Sequence, residues 1–468
     1  VTSLPVRIEE AEAFLGRVQD VSPEEGERPA AITEIARAWE RAGLRPGDLV
    51  LLGLPNGGVL LRHFFGVLAA GGVPALLAAN TPVARLRELQ EVFGARAVGM
   101  LRLPADALRP SRVERVGGME VGCFDGGTPP AASPGEVVML TSGTSGFASG
   151  CVFGFDALMR NATRHADSIG LRTDDVMLVS LPLYFSFALV AQAIATMVRG
   201  GRLVVSGPPF HAPTYGALLE RHAVTVSSLT PVFVRTLLQS HSVPTGTVRT
   251  LTIGGDSLAP EHAGELLRLR PGRELYLTYG LTQCGPRVST LAAHAEPAER
   301  YASVGLAFPD TRASLVDLGD GSGRKQLVVA SDTVMRRRIG VLEGRHHSDW
   351  HAPGVVASGD VFEQDAQGYL FYKGRLSEYI LREGEKICLA AIRRVANALP
   401  GVLTARTAVS RTEYGEDFDL TLVTSTSGET LTPDAYRAHL GRALRRGELP
   451  RQIQVVQAEP GQLERYKG

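Results

Sequence analysis

The feature that most constrains the fold is a repeated alternation of short apolar runs with amphipathic stretches, which begins near residue 30 and continues past residue 280. In residues 30–125, AITEIARAWERAGL has helical periodicity and stops at Arg45-Pro46-Gly47-Asp48. DLVLLGLP then reads as a buried strand, GVLLRHFFGVLAAGGV as a helix closed by a glycine pair, and PALLAA as a second strand. From 136 to 320 the runs VVML, DVMLVSLP, GRLVVS, AVTVSSLT, VRTLTIGG and ELYLTYG are strand-like, most of them followed by helical stretches. Strands covered on both faces read as continuous apolar runs, and the helices between them supply the covering layers, so this rhythm predicts an α/β layered domain. Between 320 and 375 the pattern becomes shorter and more β-like (KQLVVAS, GVVASGD, GYLFYKGR). After Arg375 a new pattern starts, with helices AAIRRVANAL and PDAYRAHLGRALRR and strands LTARTAVSRT and FDLTLVTS. The expected class is therefore α/β: a large N-terminal domain (residues 1–375) of layered α/β subdomains plus a short β-rich part, and a small α+β C-terminal domain (residues 376–468).

Composition excludes several partners. The 49 basic and 49 acidic side chains cancel, which leaves no net electrostatic footprint for nucleic acid or an anionic membrane. The stretch Leu178 to Val198 is long enough to span a bilayer. Pro182, Ser186, Gln192 and Thr196 interrupt it, however, and it reads as a buried strand, a loop and a core helix. The segment VTSLPVRIEEAEAF is acidic and has no apolar core, so it does not read as a secretory signal. Cys123, Cys151, Cys284 and Cys388 form no CxxC pair or metal-ligand spacing, which fits unpaired thiols in a cytoplasmic protein. His346-His347-Ser348-Asp349-Trp350-His351 matches no established metal spacing and reads as a solvated loop. Only four lysines occur, Lys325, Lys373, Lys386 and Lys467, among 49 basic residues. Where arginine is the default cation, a retained lysine hints at a need for a compact point charge that a planar guanidinium does not supply.

Three segments carry the chemistry. In VVMLTSGTSGFASG, Val137 to Gly150, a strand runs into a loop dense in Gly, Ser and Thr, which can offer backbone N–H groups and hydroxyls to an anion such as phosphate. The rival reading is an ordinary flexible turn, and GxxxxGK[ST] is absent. LTIGGDSLAP and ELYLTYGLTQCGPRVS each end a strand in a glycine-bearing turn. Ligands in open parallel sheets collect at such carboxyl ends. Ser358-Gly359-Asp360 and Gly374-Arg375 place a carboxylate and a guanidinium at strand ends, suited to ribose hydroxyls and to charge-assisted bonds with a nucleotide. Singly, each of these is as readily a structural turn or a surface residue.

Taken together and in this order, TSGTSG, GGDSL, YGLT, SGD and GRLSEYILREGEKI resemble the phosphate, adenine, ribose and hinge motifs of the adenylate-forming superfamily of acyl-CoA synthetases, peptide-synthetase adenylation domains and luciferases. The resemblance extends over about residues 30 to 467 and implies an ATP- and Mg2+-dependent ligase that forms an acyl-AMP and passes the acyl group to a second nucleophile. It implies that Thr141, Ser142, Gly143, Thr144, Ser145 and Gly146 hold the β- and γ-phosphates, that Gly255, Asp256, Ser257 and Tyr279 surround the adenine, and that Gly280 belongs to the nucleotide site. It further implies that Thr282 touches the α-phosphate and that Asp360 and Arg375 grip the ribose. The C-terminal domain would be mobile, turning about a hinge at Ser377 and Glu378. Lys467 would serve the first half-reaction and Lys386 would face the site in the second.

Two positions depart from the pattern. Ser149 stands where the phosphate loop usually carries a lysine. Gln283 replaces the glutamate that helps bind magnesium, and an amide oxygen is a weaker ligand for a hard dication. A degenerate, non-catalytic nucleotide binder is the alternative these positions raise. Tyr184-Phe185-Ser186-Phe187 lacks the aspartate with which amino-acid-activating relatives hold an α-ammonium, so an aromatic or aliphatic acid is expected, lined by Phe185, Phe187, Phe233 and Cys284. For the acceptor, coenzyme A, a carrier-protein thiol and a free amine or amino acid stay open. YGLTQCGPRVS resembles bacterial ligases related to coronafacate ligase, which form amides. A stand-alone ligase of secondary metabolism is expected.

Overall fold

The computed structural model describes residues 8–21, 30–125, 132–140, 149–207, 209–319, 321–340, 350–382, 385–412, 415–425, 430–444 and 446–458. The α/β alternation becomes two eight-stranded sheets. In the first, strand Leu49–Gly53 lies between Val73–Leu76 and Ala97–Met100, parallel to both. Every residue of these three strands is buried, which explains their unbroken apolar sequence. Helices Ile32–Arg41 and Gly58–Ala69 cover one face, while Leu86, Leu89 and Phe93 of helix Val83–Phe93 cover the other. The glycine pair that closes helix Gly58–Ala69 is required: Gly71 has φ +80° and lies against Pro46.

The second sheet holds the parallel strands Arg202–Val205, Val176–Val179, Val226–Leu229, Thr250–Ile253 and Glu274–Gly280 in that spatial order. Strand Arg287–Ala292 then runs back antiparallel to Glu274–Gly280. The Leu178–Val198 stretch resolves into strand, loop and helix as its interruptions predict, with a π-helical turn at Leu189–Ile194. Among the described residues no helix is long and apolar enough to cross a membrane.

Several long-range connections were not legible in the periodicity. Val18–Asp20 forms the edge of the second sheet, against Arg202–Val205, and Asp20 accepts hydrogen bonds from the Gly58 N–H at 2.8 and 3.0 Å, satisfying the start of a helix on the first sheet. Asn56 ties the two sheets together. Its amide donates to the carbonyls of Leu181 (2.8 Å) and Ser206 (3.0 Å) and accepts from the Leu183 N–H (2.9 Å). Strand Arg337–Ile339 crosses back to the edge of the first sheet and pairs with Gly150–Gly154.

That crossing is fixed by a buried carboxylate. Glu136, 2% exposed, accepts from Arg337 at 2.7 and 2.8 Å, from Arg336 at 3.2 Å and from the Ser133 N–H at 2.9 Å. Burial alone raises its pKa, but these donors and the two arginine charges outweigh it and hold the group below its ordinary value of 4.5. The stability it contributes is therefore complete above about pH 4.5 and lost as pH falls through the lower folded value. Glu136→Gln is expected to destabilise the fold by about 1–3 kcal/mol near neutrality. In melting curves from pH 3 to 7, the gap between wild type and variant should close on the acid side. A gap independent of pH would show that the charge is immaterial.

Strands Thr311–Asp317, Lys325–Ser331, Trp350–Ala352, Val355–Gln364 and Leu370–Arg375 build a third, antiparallel sheet in which Val355–Gln364 pairs with Lys325–Ser331 and Leu370–Arg375. Among the described residues, no strand after Arg375 pairs with one before it. Tyr379–Arg382 pairs with Glu385–Cys388, and Val402–Thr412, Gly415–Thr424 and Ile453–Gln457 form a three-stranded sheet with its own small core around Leu420, Leu422, Tyr436 and Leu440. Helix Pro231–Gln239 meets this part through Arg235, whose Nε donates to the Leu403 carbonyl at 2.5 Å, and Gln239, whose amide donates to the Val402 carbonyl at 3.1 Å.

Candidate functional site

The carboxyl ends of the parallel strands of the second sheet converge on one region. Strand Thr250–Ile253 ends in Gly254-Gly255 and strand Glu274–Gly280 in Tyr279-Gly280. A Cβ on Gly254 would lie 2.5 Å from Thr278 Oγ1 and 2.9 Å from Arg287 Nη1, and Gly255 has φ +87°, so only glycine fits here. Asp256 and Ser257 follow as exposed residues, with the Asp256 carboxylate accepting from the Ser257 N–H at 2.7 Å.

Asp360 is the polar centre of the region. It is 2% exposed. The Tyr279 hydroxyl donates to it at 2.6 Å and Arg375 Nε at 3.0 Å, while the Asp360 N–H donates to Ser358 Oγ at 3.0 Å. Asp360 and Arg375 face each other in register on adjacent strands. Burial pushes the Asp360 carboxyl above the usual carboxylate range, against the opposing pull of the Arg375 charge and the Tyr279 hydroxyl. Burial and the Asp360 charge push the Tyr279 phenol far up, so it stays a neutral donor. A carboxylate has about four lone-pair positions, so Asp360 can still accept from two further hydroxyls. The Tyr279 ring is braced edge-on against Phe362, 4.8 Å between centroids.

The sequence-predicted residues fall into groups. Tyr279, Asp360 and Arg375 are joined directly, and Gly255, Asp256, Ser257 and Gly280 end the neighbouring strands. Thr282, Gln283 and Cys284 form a single 3-10 turn, and Thr282 Oγ1 lies 3.4 Å from Ser186 Oγ. The backbone carbonyls of Gln283 and Cys284 are held by the Met335 N–H (2.8 Å) and Thr333 Oγ1 (3.1 Å). The same segment, continuing to Ile339, pairs with Gly150–Gly154, so it links this turn to the strand that follows the phosphate-loop candidate. That loop leaves strand Glu136–Leu140 and re-enters at half-buried Ser149, but Thr141, Ser142, Gly143, Thr144, Ser145 and Gly146 lie outside the described residues, as does Lys467. Lys386 is placed by its backbone in strand Glu385–Cys388.

Of the expected acid-pocket residues, Phe185 and Phe187 are half-buried at a helix start. Phe233 is fully buried and stacks on Phe210, 4.0 Å between centroids, and Cys284 is 1% exposed. At the hinge candidate, Glu378 accepts from the Arg375 N–H at 2.9 Å and pairs with Arg393, which also donates to Thr407 at 3.0 Å. The ribose-site candidate is thus wired to the C-terminal part. Among the described residues, no cluster of three or more His, Cys, Asp or Glu side chains could hold a metal ion.

Sequence reasoning missed two residues. Asn161 clamps the segment after the Thr282 turn: its amide donates to the Arg287 carbonyl at 2.8 Å and accepts from the Arg287 N–H at 2.9 Å. Arg287 itself is 4% exposed, with its guanidinium 3.8 Å from the Phe187 ring centroid. No alternation in Arg287–Ala292 marks it, because Arg287 shares its face with Ser289 and reads there as a polar surface position.

Comparison with known proteins agrees with this geometry. The family model described as AMP-binding enzyme matches residues 27–337. The sulfoacetate–CoA ligase of Cupriavidus necator is 27% identical over 464 residues, covering 92% of this chain and 89% of the relative. The salicyl-AMP ligase / salicyl-S-ArCP synthetase of Mycobacterium tuberculosis is 27% identical over 402 residues, covering 79% and 70%. In fold, the chain is similar to o-succinylbenzoate CoA synthetase from Bacillus subtilis in complex with its acyl-adenylate intermediate (TM-score 0.77, 18% identity, covering 96% of this chain and 94% of the other). It is also similar to the amide bond synthetase McbA from Marinactinospora thermotolerans (TM-score 0.75, 20% identity, covering 97% and 96%). The glycine-ended strands, the Asp360 centre and a family match across most of the chain lead to one conclusion: this chain belongs to the AMP-binding enzyme family.

Proposed function

We propose that the chain is a ligase that activates a carboxylic acid with ATP as its acyl-AMP and then transfers the acyl group to a thiol or an amine. The observation that carries this reading is the buried Asp360 centre, held by Tyr279 and Arg375 beside the Gly254-Gly255 strand end. It offers acceptors for the two ribose hydroxyls next to a glycine-lined surface for the base.

In the first step, a carboxylate oxygen attacks the α-phosphorus and the bond to the bridging oxygen breaks, so that pyrophosphate leaves. The carboxylate is already a nucleophile, and catalysis rests on alignment and charge stabilisation rather than on a general base. Thr282 touches the α-phosphate, residues 141–146 hold the leaving phosphates, and Lys467 supplies charge where it develops. Magnesium, when bound, would supply neutralisation of the phosphate charge. In the second step a thiol or amine attacks the acyl carbon and AMP leaves, with Lys386 brought to the site by rotation of residues 376–468 about Ser377 and Glu378. The relatives named above act on acids through CoA or a carrier thiol, and McbA is an amide bond synthetase, so both acceptor classes have precedent in this fold. The acid is a non-amino one, because Tyr184-Phe185-Ser186-Phe187 offers no carboxylate to an ammonium.

The test is pyrophosphate release from Mg-ATP with a panel of aryl and aliphatic acids, repeated with coenzyme A or mixed amino acids present. Acid-dependent release establishes adenylation, and the product mass separates thioester from amide. ATP binding without release from any acid would favour the degenerate binder that Gln283 and Ser149 bring to mind.

A further inference from the structure

Among the described residues, Arg287 is a buried cation without a counter-charge. Its Nε and Nη2 atoms have no hydrogen-bond partner among the described residues. Burial alone lowers its pKa to about 9, with no carboxylate acting to restore it. A desolvated, unpaired guanidinium is costly, and its retention asks for an explanation in a ligand. It also sits among other unsatisfied polar groups. Thr230 Oγ1, at the end of strand Val226–Leu229, has no partner among the described residues, and neither has either ring nitrogen of His165, which is fully buried and feels the Arg287 charge. Phe187 and Thr230 Cγ2 both lie 3.7 Å from where a Cβ on Gly255 would stand, and Arg287 stacks on Phe187. Arg287, Phe187 and Thr230 thus meet beside Gly255, at the carboxyl ends of the parallel strands and next to the expected acid-pocket residue Phe187.

We infer that Arg287 is a specificity residue that binds a second anionic group, a carboxylate or sulfonate, on the acid to be activated. This rests on the adenylation reading above. The reacting carboxylate itself is a poor occupant. It loses its charge on forming the acyl-AMP, so a buried cation gripping it would stabilise the ground state more than the transition state and slow the step. A second anion keeps its charge through both half-reactions and can take the guanidinium's Nε and Nη2 edge in a two-point contact. The aromatic face of Phe187 leaves that edge free while covering the flat side of the guanidinium.

The experiment compares charged acids with uncharged isosteres (isophthalate with 3-methylbenzoate, succinate with succinamate) in pyrophosphate release, using wild type, Arg287→Met and Arg287→Lys. Wild type is expected to favour the charged acid by about 10²-fold in kcat/KM, and Arg287→Met to lose that preference while gaining on the uncharged acid. Because the methionine removes an uncompensated charge, its melting temperature is expected to be equal or higher. Arg287→Lys keeps the charge but not the fork and should retain part of the preference. Preference for uncharged acids in wild type, or equal loss on both kinds of acid in Arg287→Met, overturns the inference and leaves adenylation standing; equal loss would place Arg287 at the reacting phosphate. Absence of release from every acid would instead remove the adenylation reading. Calorimetric binding of the same diacids then decides Arg287 separately: binding to wild type and not to Arg287→Met supports the anion site, and no binding to either rejects it.

Discussion

Asp360→Ala is expected to weaken AMP and ATP binding by about 10²-fold and to reduce adenylation at least as much, since the substitution removes the acceptor for both ribose hydroxyls. It also strips Tyr279 and Arg375 of their shared partner. Breaking a buried charge pair can cost about 3–5 kcal/mol, and because Arg375 is 45% exposed and can rehydrate, the lower end is the better guide. Some of the activity loss in the alanine variant would therefore reflect unfolding. Asp360→Asn separates the two effects. Its amide oxygen still accepts from Tyr279, so the melting temperature should fall less, while one nucleotide acceptor becomes a donor. Titration calorimetry with AMP, alongside thermal melts, reads both quantities. Unchanged AMP affinity in the asparagine and alanine variants would remove Asp360 from the nucleotide site.

Lys467→Ala is expected to slow pyrophosphate release by about 10²–10³-fold with ATP binding largely intact, the size of effect seen when one group that stabilises transition-state charge is lost. Two arguments support it. The residue falls near the place where the adenylate-forming pattern puts a lysine, and lysine is rare in a chain that uses arginine almost everywhere else. If a point charge on a flexible stem is the requirement, Lys467→Arg should not restore activity. Lys386→Ala should show the opposite profile, near-normal pyrophosphate release and slow transfer from preformed acyl-AMP. Equal loss in both half-reactions for either variant would count against the division of labour.

Much of this architecture could be read in the chain because local rules dominate there. Continuous apolar runs marked the buried parallel strands, and glycine-ended strands marked the ends that form the candidate site. What escaped depends on contacts between distant residues. Val18–Asp20 and Arg337–Ile339 are three-residue strands whose partners lie far along the chain, and no periodicity encodes such pairing. In the site, loops rich in glycine and hydroxyls were conspicuous, whereas Arg287 looked like one more arginine in an arginine-rich sequence. Only the packing of helix Phe155–Ser168 and its Asn161 against that strand shows that the guanidinium is inside.

The contact of Arg235 and Gln239 with the carbonyls of Leu403 and Val402 bears on how readily the enzyme changes state. Both acceptors are main-chain oxygens, but the Val402 and Leu403 side chains are also buried, so the contact is apolar as well as polar. Its strength is also self-limiting. Separation would break two hydrogen bonds, each worth about 1 kcal/mol net, and expose Leu403, Val423 and Ala458, which pack into the main apolar core. It would also return Arg235 to water, relieving the burial that lowers its pKa to about 10. A ligand shifts this balance only by its difference in affinity for the two arrangements, about tenfold in population for each 1.4 kcal/mol. On the proposed rotation of residues 376–468 this contact is broken between the half-reactions, so the ligand that drives the rotation has to outweigh both its hydrogen bonds and its apolar burial.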